Sequence, residues 1–255
     1  MSRHPKSSVD LAKPRRKRER YDRVLIVLED SKSSYDYLGI LCKSFKISSA
    51  NIDIVPANLR NTDERHGNDP VSVIDYAIKR YKKDKKENKQ DFYNSVFCVI
   101  DRDIHPKYSD ALIKARDTQS IKLCIVTSIP CFEYWLLLHF IYTVKPFSST
   151  EKHSKCDQAK NELSYYIKDY NKGNISENIY EVFLKQKQYD AICRAYKATL
   201  YHEMDEYSDW NSSTQMHILV EYLSSIKSDK PKKVTCRIVG NKSEIVSILS
   251  FENKN

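Results

Sequence analysis

Short apolar runs alternate with amphipathic stretches through the first 140 residues of the chain. Val24–Leu28 is five apolar residues in a row, closed by Glu29-Asp30-Ser31, and predicts a strand covered on both faces. Residues 33–46 then set Tyr35, Leu38, Leu41 and Phe45 close to one helical stripe. Ile52 to Val55 reads as a second short strand ended by Pro56, and N-L-R-N-T-D-E-R-H-G-N-D-P predicts an exposed loop. Asp69-Pro70 is a helix-start signal, with Val73, Ile74, Ala77, Ile78 and Tyr81 on one face behind it. Val96 to Ile100 and Ile121 to Val126 are two further apolar strands, with a helix expected over 107–118 and a buried one over 132–140.

Four strands alternating with helices predict βαβ units and a mostly parallel sheet. Beyond about residue 148 the pattern changes to polar, tyrosine-bearing helices over 154–170, 177–200 and 213–227. A late strand follows over 234–239, with a last helix near 242–250. The expected organisation is an arm over 1–20, an α/β domain over 21–147, and a mainly helical region over 148–255 that completes or caps the fold.

Charge changes the picture at one end. The first 20 residues hold eight Lys and Arg against Asp10 and Glu19, so +6 of the net +9 sits there. Arg15, Arg16, Lys17, Arg18 and Arg20 form a basic arm of the kind that contacts phosphates by releasing condensed counterions. The seven cysteines are scattered without a CxxC pair, as expected of reduced core thiols in a cytoplasmic protein. No apolar run approaches the ~20 residues that span a bilayer. With only four glycines, at 39, 67, 173 and 240, the chain has neither GxGxxG nor GxxxxGK[ST], which argues against the glycine-rich routes to dinucleotide and ATP binding.

The candidate chemistry sits where open α/β sheets place their sites, at the carboxyl ends of strands. Glu29 follows the first strand, and Asp101 and Asp103 follow the third in C-V-I-D-R-D-I-H-P. The period of two lets both aspartates project to one side while Arg102 points to the other. Three carboxylates that close repel unless a cation joins them, and hard oxygen ligands favour Mg²⁺ or Mn²⁺. Two arrangements fit. One is a phosphoacceptor receiver, with Glu29 and Asp30 as the metal pair and Asp101 phosphorylated, though the Lys expected after a fifth strand is not seen. The other is a Toprim-type site, in which a first-strand Glu and a later DxD serve metal-dependent phosphodiester chemistry.

Four segments carry a more specific signal. R-V-L-I-V-L-E-D-S-K-S-S-Y-D-Y-L resembles the opening of the RloB-like family, and C-V-I-D-R-D-I-H-P its D-R-D-x-H-P element. S-I-P-C-F-E-Y-W-L-L-L-H-F is similar to its F-E-x-W-L-L-L-H-F segment, and W-N-S-S-T-Q-M-H-I-L-V-E-Y-L to a later stretch. The matches run in order over roughly residues 15–225. Asp30 stands where the family usually has Gly, Ser33-Ser34 replaces Thr-Glu, and both Ser128-Ile129-Pro130 and Asn211-Ser212 depart from the family's Asn-Pro forms.

The resemblance implies a Toprim-like, mostly parallel sheet flanked by helices, with a helical C-terminal region. It also implies a nuclease acting on RNA (possibly tRNA) or DNA in abortive-infection phage defence, beside an ATPase partner. In that chemistry Asp101 and Asp103 hold Mg²⁺, and Glu29 completes its shell or serves as general base. Lys32 pairs with the developing phosphate charge, and His105 shuttles a proton or caps the next helix. Glu133, a carboxylate inside an apolar helix, either caps that helix or reaches the same cluster. The rival class is a non-catalytic nucleic-acid-binding or adaptor subunit of an ATPase complex.

Overall fold

The computed structural model describes residues 22–57, 69–88, 91–102, 106–168, 170, 175–202, 210–228, 230–240 and 246–252. The basic arm with Arg15, Arg16, Lys17, Arg18 and Arg20, most of the polar loop, and both Asp103 and His105 lie outside these residues.

Strands β1 Val24–Leu28, β2 Ile52–Pro56, β3 Ser95–Asp101 and β4 Leu123–Ile129 run parallel. A two-residue strand, β5 Ser213–Thr214, pairs antiparallel with the end of β4, so the order is β2-β1-β3-β4-β5. This is the mostly parallel α/β sheet that the alternation predicts. Every residue of β1 is fully buried, as a central strand covered on both faces requires.

Helix α1 Ser33–Ser44 packs on the face carrying Val24, Ile26, Leu28, Phe97 and Val99. The opposite face, with Leu25, Val27, Val96, Cys98 and Ile100, is covered by α2 Pro70–Glu87 and α3 Tyr108–Asp117. Asp69 opens α2 as the sequence predicts, its carboxylate accepting from Val71 N–H (3.2 Å) and Ser72 N–H (3.3 Å), with Pro70 in the first turn. The chain leaves β1 toward β2 with its helix on one face. It leaves toward β3 and β4 with helices on the other. The strand order therefore switches between β1 and β3, and the crevice at their carboxyl ends is the topological switch point.

The rest of the chain is mainly helical. It comprises α4 Phe132–Leu137, α5 Lys155–Ser164, α6 Glu177–Ile179, α7 Gln188–His202 and α8 Met216–Ser225, with a wide turn Tyr180–Leu184 and a tight one Lys185–Lys187 joining α6 to α7. Leu163, Ile167, Tyr170, Tyr180, Leu184, Ala191 and Leu219 join the α1 side of the sheet in one apolar cluster, so residues on both sides of position 148 share a core. No helix among the described residues is long and apolar enough to cross a membrane.

Three local expectations change. The buried stripe of α1 carries Tyr37, Leu38, Leu41 and Cys42, while Tyr35 is exposed. The helix expected near 242–250 is instead a strand, β7 Val246–Phe251, paired antiparallel with β6 Val234–Val239 over six residue pairs. V-S-I-L-S-F satisfies helical and strand periods alike, and the backbone partner that decides between them is available only in the folded chain. Strand β4 also runs three residues past the expected Val126, to Ile129, which brings Ser128 into register with Asp101.

That longer β4 has an outer edge that β5 covers only at Ser128 and Ile129. The Gln215 backbone N–H donates to Thr127 C=O (2.9 Å), and side chains close the remainder. Ile125 N–H reaches Cys236 Sγ (3.5 Å), and Ile125 C=O accepts from Ser247 Oγ (2.8 Å). Thr127 N–H donates to Gln215 Oε1 (3.2 Å), while Gln215 Nε2 donates to Ser247 C=O (2.6 Å). An open edge is thereby satisfied without a full strand. Gln215→Leu should strip partners from both Thr127 and Ser247 and lower unfolding stability by about 2 kcal/mol, read as a shifted urea midpoint at unchanged slope.

Candidate functional site

The turn after β1 is built by Asp30. Its carboxylate accepts from Lys32 N–H (3.0 Å) and Ser34 N–H (3.3 Å), which satisfies donors at the start of α1. Both oxygens are spent on backbone, so Asp30 is unsuited to the metal pair of a receiver site. It also supplies an anchor where the family pattern has glycine. Lys32, exposed, is held at the head of α1 by this turn.

Glu29 continues the ladder by one rung, its N–H donating to Val99 C=O (3.1 Å). Its side chain then turns back to β3, where Glu29 Oε2 accepts the N–H of Asp101 (3.1 Å). The structure thus brings Glu29 and Asp101 together at the switch point, although 72 residues separate them in sequence. Asp101 is the last residue of β3 and lies in register with Ser128 of β4. Arg102 N–H donates to Ser128 C=O (2.9 Å), and the Arg102 guanidinium lies 5.6 Å from the centre of the Tyr108 ring, on the α3 face. The alternation expected across Asp101-Arg102 is realised.

Glu133 sits at the next strand end, in the first turn of α4, and is 1% exposed. Neither of its oxygens takes a backbone N–H of that helix, so the capping role does not describe it. Oε1 accepts from the Tyr170 hydroxyl (3.3 Å), which also donates to Ser33 Oγ (3.1 Å), while Oε2 is buried with no hydrogen-bond partner. A carboxylate oxygen removed from water without a donor is costly and calls for a cation or a proton. Cys131, fully buried two residues beyond the end of β4, links the two acidic elements. Burial, a hydrogen bond with Cys156, and then the charges of Glu133 and Asp101 push its thiol well above the ordinary range. Burial, followed by Glu133, pushes the Tyr170 hydroxyl upward in the same way.

The site therefore draws on β1, β3, the β4–α4 junction and, through Tyr170, the helical region. Among the described residues no group of three or more His, Cys, Asp and Glu side chains is gathered closely enough to hold a metal ion. Asp103, the expected third carboxylate, lies outside those residues. His139, two turns along from Glu133, is a core residue; its Nδ1 meets Trp135 C=O (3.1 Å), and burial pushes its pKa down to about 4.

The family model described as RloB-like protein matches residues 24–223. The chain belongs to the RloB-like family. The matched span takes in Glu29, Asp101, Glu133 and Tyr170, and ends within α8. Comparison with curated proteins and with solved structures found no match. Within this RloB-like chain, Tyr170, Ser33 and Cys131 escaped sequence reasoning. Tyr170 looked like one of many amphipathic tyrosines, and its partner Ser33 lies 137 residues away.

If Glu133 is kept for its chemistry and not for packing, the metal-free protein bears its cost. Tyr170 retains Ser33 as an acceptor when the carboxylate is removed. Glu133→Met should therefore raise unfolding stability in EDTA by about 1 kcal/mol or more, measured by urea denaturation. A loss of similar size would make Glu133 a structural partner of Tyr170.

Proposed function

We propose that this chain is a divalent-metal-dependent nuclease of Toprim type, cleaving phosphodiester bonds in RNA or DNA within an antiphage defence system that includes an ATPase. The observation that carries the reading is the buried Oε2 of Glu133, without a donor, at the strand end beside the Glu29–Asp101 pair. Support also comes from the position of that pair at the topological switch point, the usual ligand crevice of an open α/β sheet. The defence role and the ATPase partner follow from the resemblance to the family.

The donor set suits a hard cation, because Glu29, Asp101 and Glu133 offer carboxylate oxygen alone and Asp103 would add another. In this reading Glu29, Asp101 and Asp103 hold Mg²⁺, with Mn²⁺ as a substitute, and Glu133 stands at the next strand end. A divalent ion held by these carboxylates would supply Lewis-acid polarisation of the scissile phosphate and charge for the leaving oxygen. Glu29 serves as ligand or as base for the attacking water. Lys32 supplies positive charge to the phosphate from the head of α1. Arg15, Arg16, Lys17, Arg18 and Arg20 lend affinity through phosphate contacts, and their share should fade as salt rises.

Incubation with tRNA, other RNA and DNA pools, with the ATPase present, should give cleavage in Mg²⁺ or Mn²⁺ and none in EDTA. Glu29→Gln and Asp101→Asn should each lower the rate by about 100-fold or more. Cleavage indifferent to both substitutions would falsify the assignment. Metal-independent binding with no cleavage of any pool would identify an adaptor instead.

A further inference from the structure

Beyond the outer edge of β4, a cavity of about 640 Å³ lies between the ends of β4 and β5, α7, α8 and the β6–β7 hairpin. That volume falls within the ~300–1,000 Å³ typical of small-molecule sites. Its walls include the rings of Tyr108, Tyr196, Trp210 and His217, and the exposed Arg237 stands among its lining residues. His217 is 2% exposed, and its Nδ1 is buried without a hydrogen-bond partner. Its ring meets Tyr196 edge-on at 4.3 Å between centroids. Burial pushes its pKa down to about 4, so at neutral pH it is an uncharged imidazole.

Several other polar groups along the wall are engaged with the protein. Gln215 bridges Thr127 and Ser247, the Tyr108 hydroxyl meets Thr127 Oγ1 (3.3 Å), and the Tyr196 hydroxyl donates to Glu221 (2.6 Å). What the cavity offers a visitor is flat aromatic surface, a neutral imidazole ring and one cation. A purely apolar ligand would make no use of the arginine. A small anion would gain little from aromatic walls and a single exposed arginine. A flat heteroaromatic group with a polar edge satisfies all three, which is how single-stranded bases are held by proteins.

The cavity also adjoins the acidic site. Thr214, in its wall, shares a hydrogen bond with Ser128 (2.8 Å), the register partner of Asp101. Tyr108, another wall residue, lies under the guanidinium of Arg102, the residue after Asp101. We infer that this cavity is a base pocket, which takes one unstacked nucleobase of the strand whose backbone lies at Glu29 and Asp101. This deepens the nuclease reading and rests on it for the backbone's position.

The test is calorimetric titration of the full chain in EDTA with single-stranded trinucleotides of each base, against counterparts whose central residue is abasic. At least one trinucleotide should bind, and loss of its central base should weaken it by about five- to tenfold, the range of one stacked base. Trp210→Ala and His217→Phe should weaken the intact trinucleotide similarly and erase the difference. Arg237→Ala, at an exposed position, should do so in part without touching thermal stability. The inference is overturned if no trinucleotide binds, if the abasic form binds equally well, or if all three variants stay folded and bind like the parent. Base-dependent binding retained in Glu29→Gln, in a chain that cleaves nothing, upholds the pocket and sinks the nuclease reading. Cleavage without base-dependent binding sinks the pocket alone.

Discussion

A parallel ladder must end somewhere, and the backbone groups at its end still need partners. Between β1 and β3 the final donor is the N–H of Asp101, and a side chain from the neighbouring strand receives it, Glu29 Oε2 at 3.1 Å. That one hydrogen bond anchors an acidic residue of β1 against an acidic residue of β3 at the point where the chain departs to opposite sides of the sheet. The requirement to finish a sheet and the requirement to assemble a charged site are met by the same atoms.

The next strand end shows the opposite economy. Glu133 is nearly sealed from water, takes one hydroxyl from Tyr170, and leaves Oε2 without a donor. A fold selected for stability alone would fill that place with an apolar side chain of similar volume. Tyr170 and Ser33 hold the carboxylate from the helical region and from α1, so the second half of the chain reaches into the strand ends of the first. The shared apolar cluster on that face gives this reach a rigid base.

Beyond β4 the sheet is finished with side chains. Gln215, Cys236 and Ser247 satisfy Ile125 and Thr127, and the hairpin that supplies two of them also walls the aromatic cavity. The carboxyl edge of the sheet therefore carries two chemistries side by side, acidic at the ends of β1 and β3 and aromatic beyond β4 toward the hairpin. Side chains alternate at the end of β3, with Asp101 in step with Val99 and Arg102 turned to Tyr108.

Much of this was legible in the chain alone. Apolar runs of four or five residues closed by polar ones suit strands of a sheet covered on both faces, so Val24–Leu28 and its successors pointed to the α/β class and parallel order. The acids after the first and third strands marked the crevice, because strand ends are where such sheets leave polar groups open. Local pattern could not determine what depends on distant partners. The choice of strand over helix for Val246–Phe251 awaited β6, and the extension of β4 to Ile129 awaited Asp101 and β5. Tyr170 became part of the site only when folding set it beside Ser33 and Glu133. Periodicity reports which face of an element is buried. Which groups meet across that face is decided by tertiary packing, since hydrogen bonds between residues far apart in sequence leave no periodic trace.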